Sequence, residues 1–155
     1  MKMLLAKILG TGFGTGYFPF ASGTLGSALA VAMYWFIPGF SETTFLLLAA
    51  LIFFFAGVWA SSLLEEPYGQ DPSEATIDEL VGQWIALLFL PKTLLSISLA
   101  FAAFRFFDIT KIEPANQLQK LPRGWGVMMD DVMAGIYANL FCHAIYFLLG
   151  QLSSQ

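Results

Sequence analysis

Seven of the eleven acidic residues carry the chemistry available to this sequence. Asp71, Glu74, Asp78 and Glu79 fall in one polar stretch, Asp108 in a second, and Asp130 and Asp131 in a third. An oxygen-rich donor set, in a chain with one histidine and one cysteine, suits Mg²⁺ or Mn²⁺ and argues against zinc. Carboxylates alone repel an anionic substrate. With a divalent cation between them they attract phosphate, polarise it and acidify water. Asp78 and Glu79 stand directly before the apolar run Leu80-Val-Gly-Gln-Trp-Ile. Acids there cost roughly 2.5–3.5 kcal/mol each if they reach the bilayer centre, and such a cost usually marks function.

Each stretch also has a structural explanation. Asp71-Pro-Ser-Glu74 reads as a helix start, with Asp71 the N-cap, Pro72 the first helical residue and Glu74 the reciprocal capping acid. Glu74 and Asp78 then lie on one helical face. One of Asp130 and Asp131 can cap the last apolar segment. Adjacent helical residues point about 100° apart, so at least one of the two faces the interior. Arg105, Asp108 and Lys111 are spaced by three and share a face if their helix continues. They form either an ion-pair ladder with a snorkelling lysine, or an acid for metal with two cations for phosphate oxygens. Gly10-Thr-Gly-Phe-Gly-Thr-Gly16, followed by a helix start near Thr24, is either an anion cradle or the close packing of a re-entrant segment. No Gly-Lys-Ser/Thr follows it, so it is not a nucleotide P-loop.

Other mechanisms lack their parts. His143, the single histidine, lies deep in the last apolar segment, which opposes a Ser-His-Asp relay and any two-histidine scheme. Cys142 has no disulfide partner and reads as a small packing residue. No arginine-closed loop follows it, and no Asp-x-Asp-x-Thr motif is present. Metal-activated water remains.

The elements that must position these groups belong to a membrane protein. The chain is 57% hydrophobic and 12% charged, with mean hydropathy +0.71, against about 25% charged residues in soluble domains. A net charge of −4 with no basic patch argues against nucleic acid. The N-terminal stretch is too short and glycine-rich for a secretory signal and is expected to stay on the protein. Apolar segments run over Leu25–Ile37, Thr43–Leu64, Leu80–Leu90, Thr93–Phe107 and Val132–Leu149. A full span needs about 20 residues, so three of these are completed only by drawing their flanking acids toward membrane depth, facing a wet cavity. With the N-terminus inside, Lys2, Lys7, Lys111, Lys120 and Arg123 fall inside, Arg105 lies near the inner end of its helix, and Lys92 is outside. The same count gathers the glycine-rich stretch and the acidic loops on one side. The expected fold is an all-α integral membrane protein, one domain over 1–155. It is a bundle of four to five short transmembrane helices with a Gly-rich re-entrant N-terminal segment.

Four blocks carry a resemblance to a known family. They are Gly-Thr-Gly with Tyr17-Phe-Pro-Phe-Ala-Ser-Gly-Thr24; Asp71-Pro with Ile77-Asp-Glu-Leu-Val-Gly-Gln-Trp84; Phe104-Arg-Phe-Phe-Asp-Ile-Thr-Lys111 with Pro114; and Gly126-Val-Met-Met-Asp-Asp-Val-Met-Ala-Gly-Ile-Tyr-Ala138. In this order they resemble the phosphatidylglycerophosphatase A family of bacterial membrane lipid phosphatases. Ser22 stands where that family usually has proline. The resemblance implies Mg²⁺-dependent hydrolysis of phosphatidylglycerophosphate to phosphatidylglycerol and inorganic phosphate at the cytoplasmic face of the inner membrane. The partner is then a phospholipid substrate in the bilayer. On this reading Asp78, Glu79, Asp130 and Asp131 are expected to ligate Mg²⁺, with Asp108 a ligand or general base and Asp78, Asp108 and Asp131 central to catalysis. Arg105 and Lys111 are expected on phosphate oxygens, helped by Thr11, Thr15 and Thr24. Two other classes stand beside it: a cation transporter, which needs acids along a pore, and a non-catalytic assembly protein whose acids bind a basic partner.

Overall fold

The apolar segments resolve into helices. The computed structural model describes residues 1–69 and 72–152, and among these it contains seven α-helices and no strand. They are α1 (Lys2–Gly10), α2 (Ser22–Phe36), α3 (Thr43–Tyr68), α4 (Ile77–Leu87), α5 (Leu94–Thr110), α6 (Ala115–Leu118) and α7 (Gly124–Leu152), with a 3-10 turn at Thr15–Tyr17. The five expected apolar segments are α2 to α5 and α7. Helices α3 and α7 are long and apolar enough to cross a membrane, with mean hydropathies of 2.2 and 1.7 over their best stretches. Large apolar side chains point outward along them, among them Phe45, Leu48, Ile52 and Phe55 on α3 and Leu140, Phe147 and Leu148 on α7.

Helix α4 is the axis of the bundle, packed against α2, α3, α5 and α7. A helix apolar nearly all round must be enclosed on all sides, and α4 is buried from Ile77 to Leu87 except at Glu79 and Ile85. Polar contacts from its neighbours fix its C-terminal end and its middle. At the C-terminal end, Asn139 Nδ2 donates to the Ala86 and Leu88 carbonyls (3.2 and 2.8 Å), and His143 Nε2 donates to Leu88 (3.2 Å). The lone histidine is therefore a cap for carbonyls that α4 leaves open. Midway, Trp84 is fully buried and its Nε1 donates to the Ala30 carbonyl at 3.2 Å. Trp84→Phe should lower stability by about 1–3 kcal/mol, through the lost hydrogen bond and the cavity left by the smaller ring. An unchanged unfolding midpoint in detergent would show that this bond adds nothing.

Helices α4 and α7 touch backbone to backbone. A Cβ on Gly82 would overlap the Phe104 ring and the Asp131 carbonyl, and one on Gly135 would overlap the Gly82 carbonyl. Small residues at such a crossing bring the acids of both helices within reach of one another.

Local patterns misplace two helix starts and set a third two residues late. Pro72–Thr76 is not helical: Ala75 N–H donates to the Pro72 carbonyl and Thr76 N–H to the Gly10 carbonyl, both at 2.8 Å, and α4 begins only at Ile77. Asp71, the expected N-cap, lies outside the described residues, and Glu74 is off the helix, so it shares no face with Asp78. Helix α7 begins at Gly124, which leaves Asp130 and Asp131 inside it and makes neither a cap. Helix α2 starts at Ser22, two residues ahead of Thr24, after Ala21 in the left-handed region (φ 51°).

Candidate active site

Asp78 and Glu79 occupy the first turn of α4, where the helix dipole favours negative charge. Asp131 faces them across the Gly82 crossing. One oxygen from each of Asp78, Glu79 and Asp131 lies within 4.8 Å of the other two. Asp78 is 8% and Asp131 3% exposed. Asp78 Oδ1, Glu79 Oε2 and Asp131 Oδ2 are buried without a hydrogen-bond partner. Three ionised groups cannot share this space without a cation. The donor set is all oxygen and anionic, so it fits a hard divalent ion such as Mg²⁺.

Two cations flank the cluster. Arg105 Nη1 pairs with Asp108 Oδ2 at 2.6 Å, one turn apart on α5. Lys111 does not continue that ladder. It follows α5 in the left-handed region (φ 44°), and its Nζ donates to Asp130 Oδ2 at 2.8 Å. Asp130, expected with the other metal ligands, is thus held by Lys111. A cleft of about 370 Å³ joins Asp78, Glu79, Arg105, Asp108, Lys111, Asp130 and Asp131. All seven come from the sequence reading.

The three threonines do not line that cleft. Thr11 is fully buried, its hydroxyl donating to the Lys7 carbonyl (2.6 Å) and accepting from Gly14 N–H (3.1 Å). Thr15 Oγ1 donates to the loop carbonyls of Thr11 and Gly12 and pairs with Thr76 Oγ1 at 2.8 Å. Thr24 is half-buried on α2.

The comparisons with known proteins bear on this geometry. The family model for phosphatidylglycerophosphatase A matches residues 8–146. The chain belongs to the phosphatidylglycerophosphatase A family. Two relatives carry that name: one from Haemophilus influenzae, 34% identical over 90% of this chain and 88% of its own length, and one from Escherichia coli K12, 30% identical over 83% and 76%. A Bacteroides thetaiotaomicron relative, provisionally named a phosphatidylinositol-3-phosphatase, is 40% identical over 94% of this chain and 96% of its own. No solved structure matches.

The acid cleft has one part that the residue types concealed. Gly23, in the first turn of α2, lies against the acids: a Cβ there would overlap Glu79 Oε1 and crowd Arg105 Nη1. Its signal in the sequence was the small run Ala21-Ser-Gly-Thr24, which reads equally as packing.

Proposed function

We propose that the chain is a Mg²⁺-dependent phosphatase that hydrolyses phosphatidylglycerophosphate to phosphatidylglycerol and inorganic phosphate, at the cytoplasmic face of the bacterial inner membrane. Family membership and the names of the H. influenzae and E. coli relatives support the reaction. The observation that carries it is the convergence of three carboxylates, each with one buried oxygen that has no hydrogen-bond partner, beside two cations. Asp78, Glu79 and Asp131 would hold Mg²⁺, which would supply Lewis-acid polarisation of a phosphoryl oxygen and acidify water there. Arg105 and Lys111 bind the remaining phosphate oxygens, and Asp108 and Asp130 fix those cations in place. The opening N–H groups of α2 at Ser22 and Gly23 favour the same anion. Asp108, at the cleft wall, takes the proton of the attacking water. Thr11 and Thr15 serve the site by fixing the loop that closes over α4.

The outward apolar faces of α2, α3, α5 and α7 meet lipid, and they enclose α4. The glycine-rich turn after α1 folds back on the bundle through Phe13 against Phe53 and Thr15 against Thr76, as a re-entrant segment would. Lys92 follows α4 at the end away from the acids, its Nζ 5.7 Å from the Tyr34 and Trp35 ring centroids. Lysine with aromatic rings is a membrane-interface signature. The acids gather at one end of α4 rather than along a pore, which favours the enzyme over an ion pathway.

Purified protein in micelles containing phosphatidylglycerophosphate should release phosphate with Mg²⁺, stop when a chelator is added and resume when Mg²⁺ is restored. Release that persists in chelator would remove the metal from the mechanism. Release from phosphatidylinositol 3-phosphate alone would shift the substrate to the one named for the B. thetaiotaomicron relative.

A further inference from the structure

We infer that a second pocket, walled by Tyr17, Ser73 and Glu74, receives the hydroxyl-bearing link between the terminal phosphate and the lipid anchor, and so sets headgroup specificity. This inference rests on the phosphatase reading above. The pocket holds about 300 Å³ and shares Ala21, Ser22 and Ser73 with the acid cleft. Between the two spaces stands one hydrogen bond, from the Ser22 hydroxyl to the Ser73 carbonyl at 3.1 Å. A substrate with its phosphate among the acids therefore has an adjoining chamber for the next group along.

The chemistry of that chamber differs from the cleft. Among the described residues no lysine or arginine lines it. Its one charge is the Glu74 carboxylate, reached by the Ser73 hydroxyl at 3.4 Å. A carboxylate accepts hydrogen bonds from hydroxyls. Glu74 is placed there by the backbone: Gly16 packs directly on the Glu74 carbonyl, where a Cβ would overlap it, and the Thr15–Thr76 hydroxyl pair ties the two loop segments together. The ligand class is an uncharged polyol of glycerol or inositol type bearing a phosphomonoester.

The test compares two inhibitors of phosphate release from phosphatidylglycerophosphate. Inorganic phosphate fills the acid cleft alone; glycerol 3-phosphate fills both spaces. Wild type should bind glycerol 3-phosphate about tenfold more tightly, the worth of one hydrogen bond to a charged group. Glu74→Ala should erase that advantage, leave inhibition by inorganic phosphate unchanged, and raise KM for the lipid with kcat retained. Equal inhibition by the two compounds in wild type overturns the inference, as does a Glu74→Ala variant in which both constants move by the same factor. A wild-type protein that releases no phosphate with Mg²⁺ overturns the phosphatase reading itself, a result distinguishable because no activity is then left to inhibit.

Discussion

Asp131→Asn lowers phosphate release on the order of 10³-fold, the several kcal/mol that a metal-centred site contributes to the transition state. Asparagine keeps the size of the side chain and removes its charge, so the bundle stays assembled. Asp131 is 3% exposed, its Oδ2 has no partner, and its backbone carbonyl sits on Gly82. Like charges buried together destabilise the metal-free fold. In chelator the variant should therefore unfold at a higher temperature than wild type. Added Mg²⁺ should raise the wild-type midpoint more than the variant's, because a ligand stabilises only the state that binds it. Activity and metal response thus move together while stability moves the other way. A variant that retains most of its activity would remove Asp131 from the site.

Gly82→Val should be the most damaging change away from the acids. Its side chain would have to displace the Phe104 ring and the Asp131 carbonyl where α4 and α7 cross. Overpacking alone costs about 1–3 kcal/mol, and separating two helix backbones adds to that. The expected result is loss of folded protein from detergent extracts. Gly150→Ala is the matched control, since nothing lies within 4 Å of a Cβ added there. Equal unfolding midpoints for Gly82→Val and wild type would show that the close crossing is dispensable.

The acids and the helices were legible because both are written locally. A carboxylate beside an apolar run is costly wherever the chain folds, so Asp78, Glu79 and Asp131 stand out from composition and position. The helix start at Asp71 read plausibly because a capping pattern is local too, but Thr76 N–H bonds the Gly10 carbonyl, more than sixty residues earlier, and that contact keeps Pro72–Thr76 out of the helix. Spacing sets Lys111 on the face of Arg105 and Asp108 only if the helix continues; α5 ends at Thr110, and the left-handed turn that carries Lys111 to Asp130 depends on the partner it finds there. Gly23 left no chemical mark, because its contribution is the absence of a side chain. Thr11 and Thr15 looked like donors for phosphate, and their hydroxyls are taken up by backbone carbonyls and Thr76.

The shortness of α4 has a consequence for the depth of the acids. Its eleven residues span roughly 16 Å at 1.5 Å per residue, while α3 and α7 beside it run 26 and 29 residues. Asp131 stands roughly 10 Å along α7 from its first residue, Gly124. The acid cluster is therefore sunk between the long helices rather than displayed at their tips.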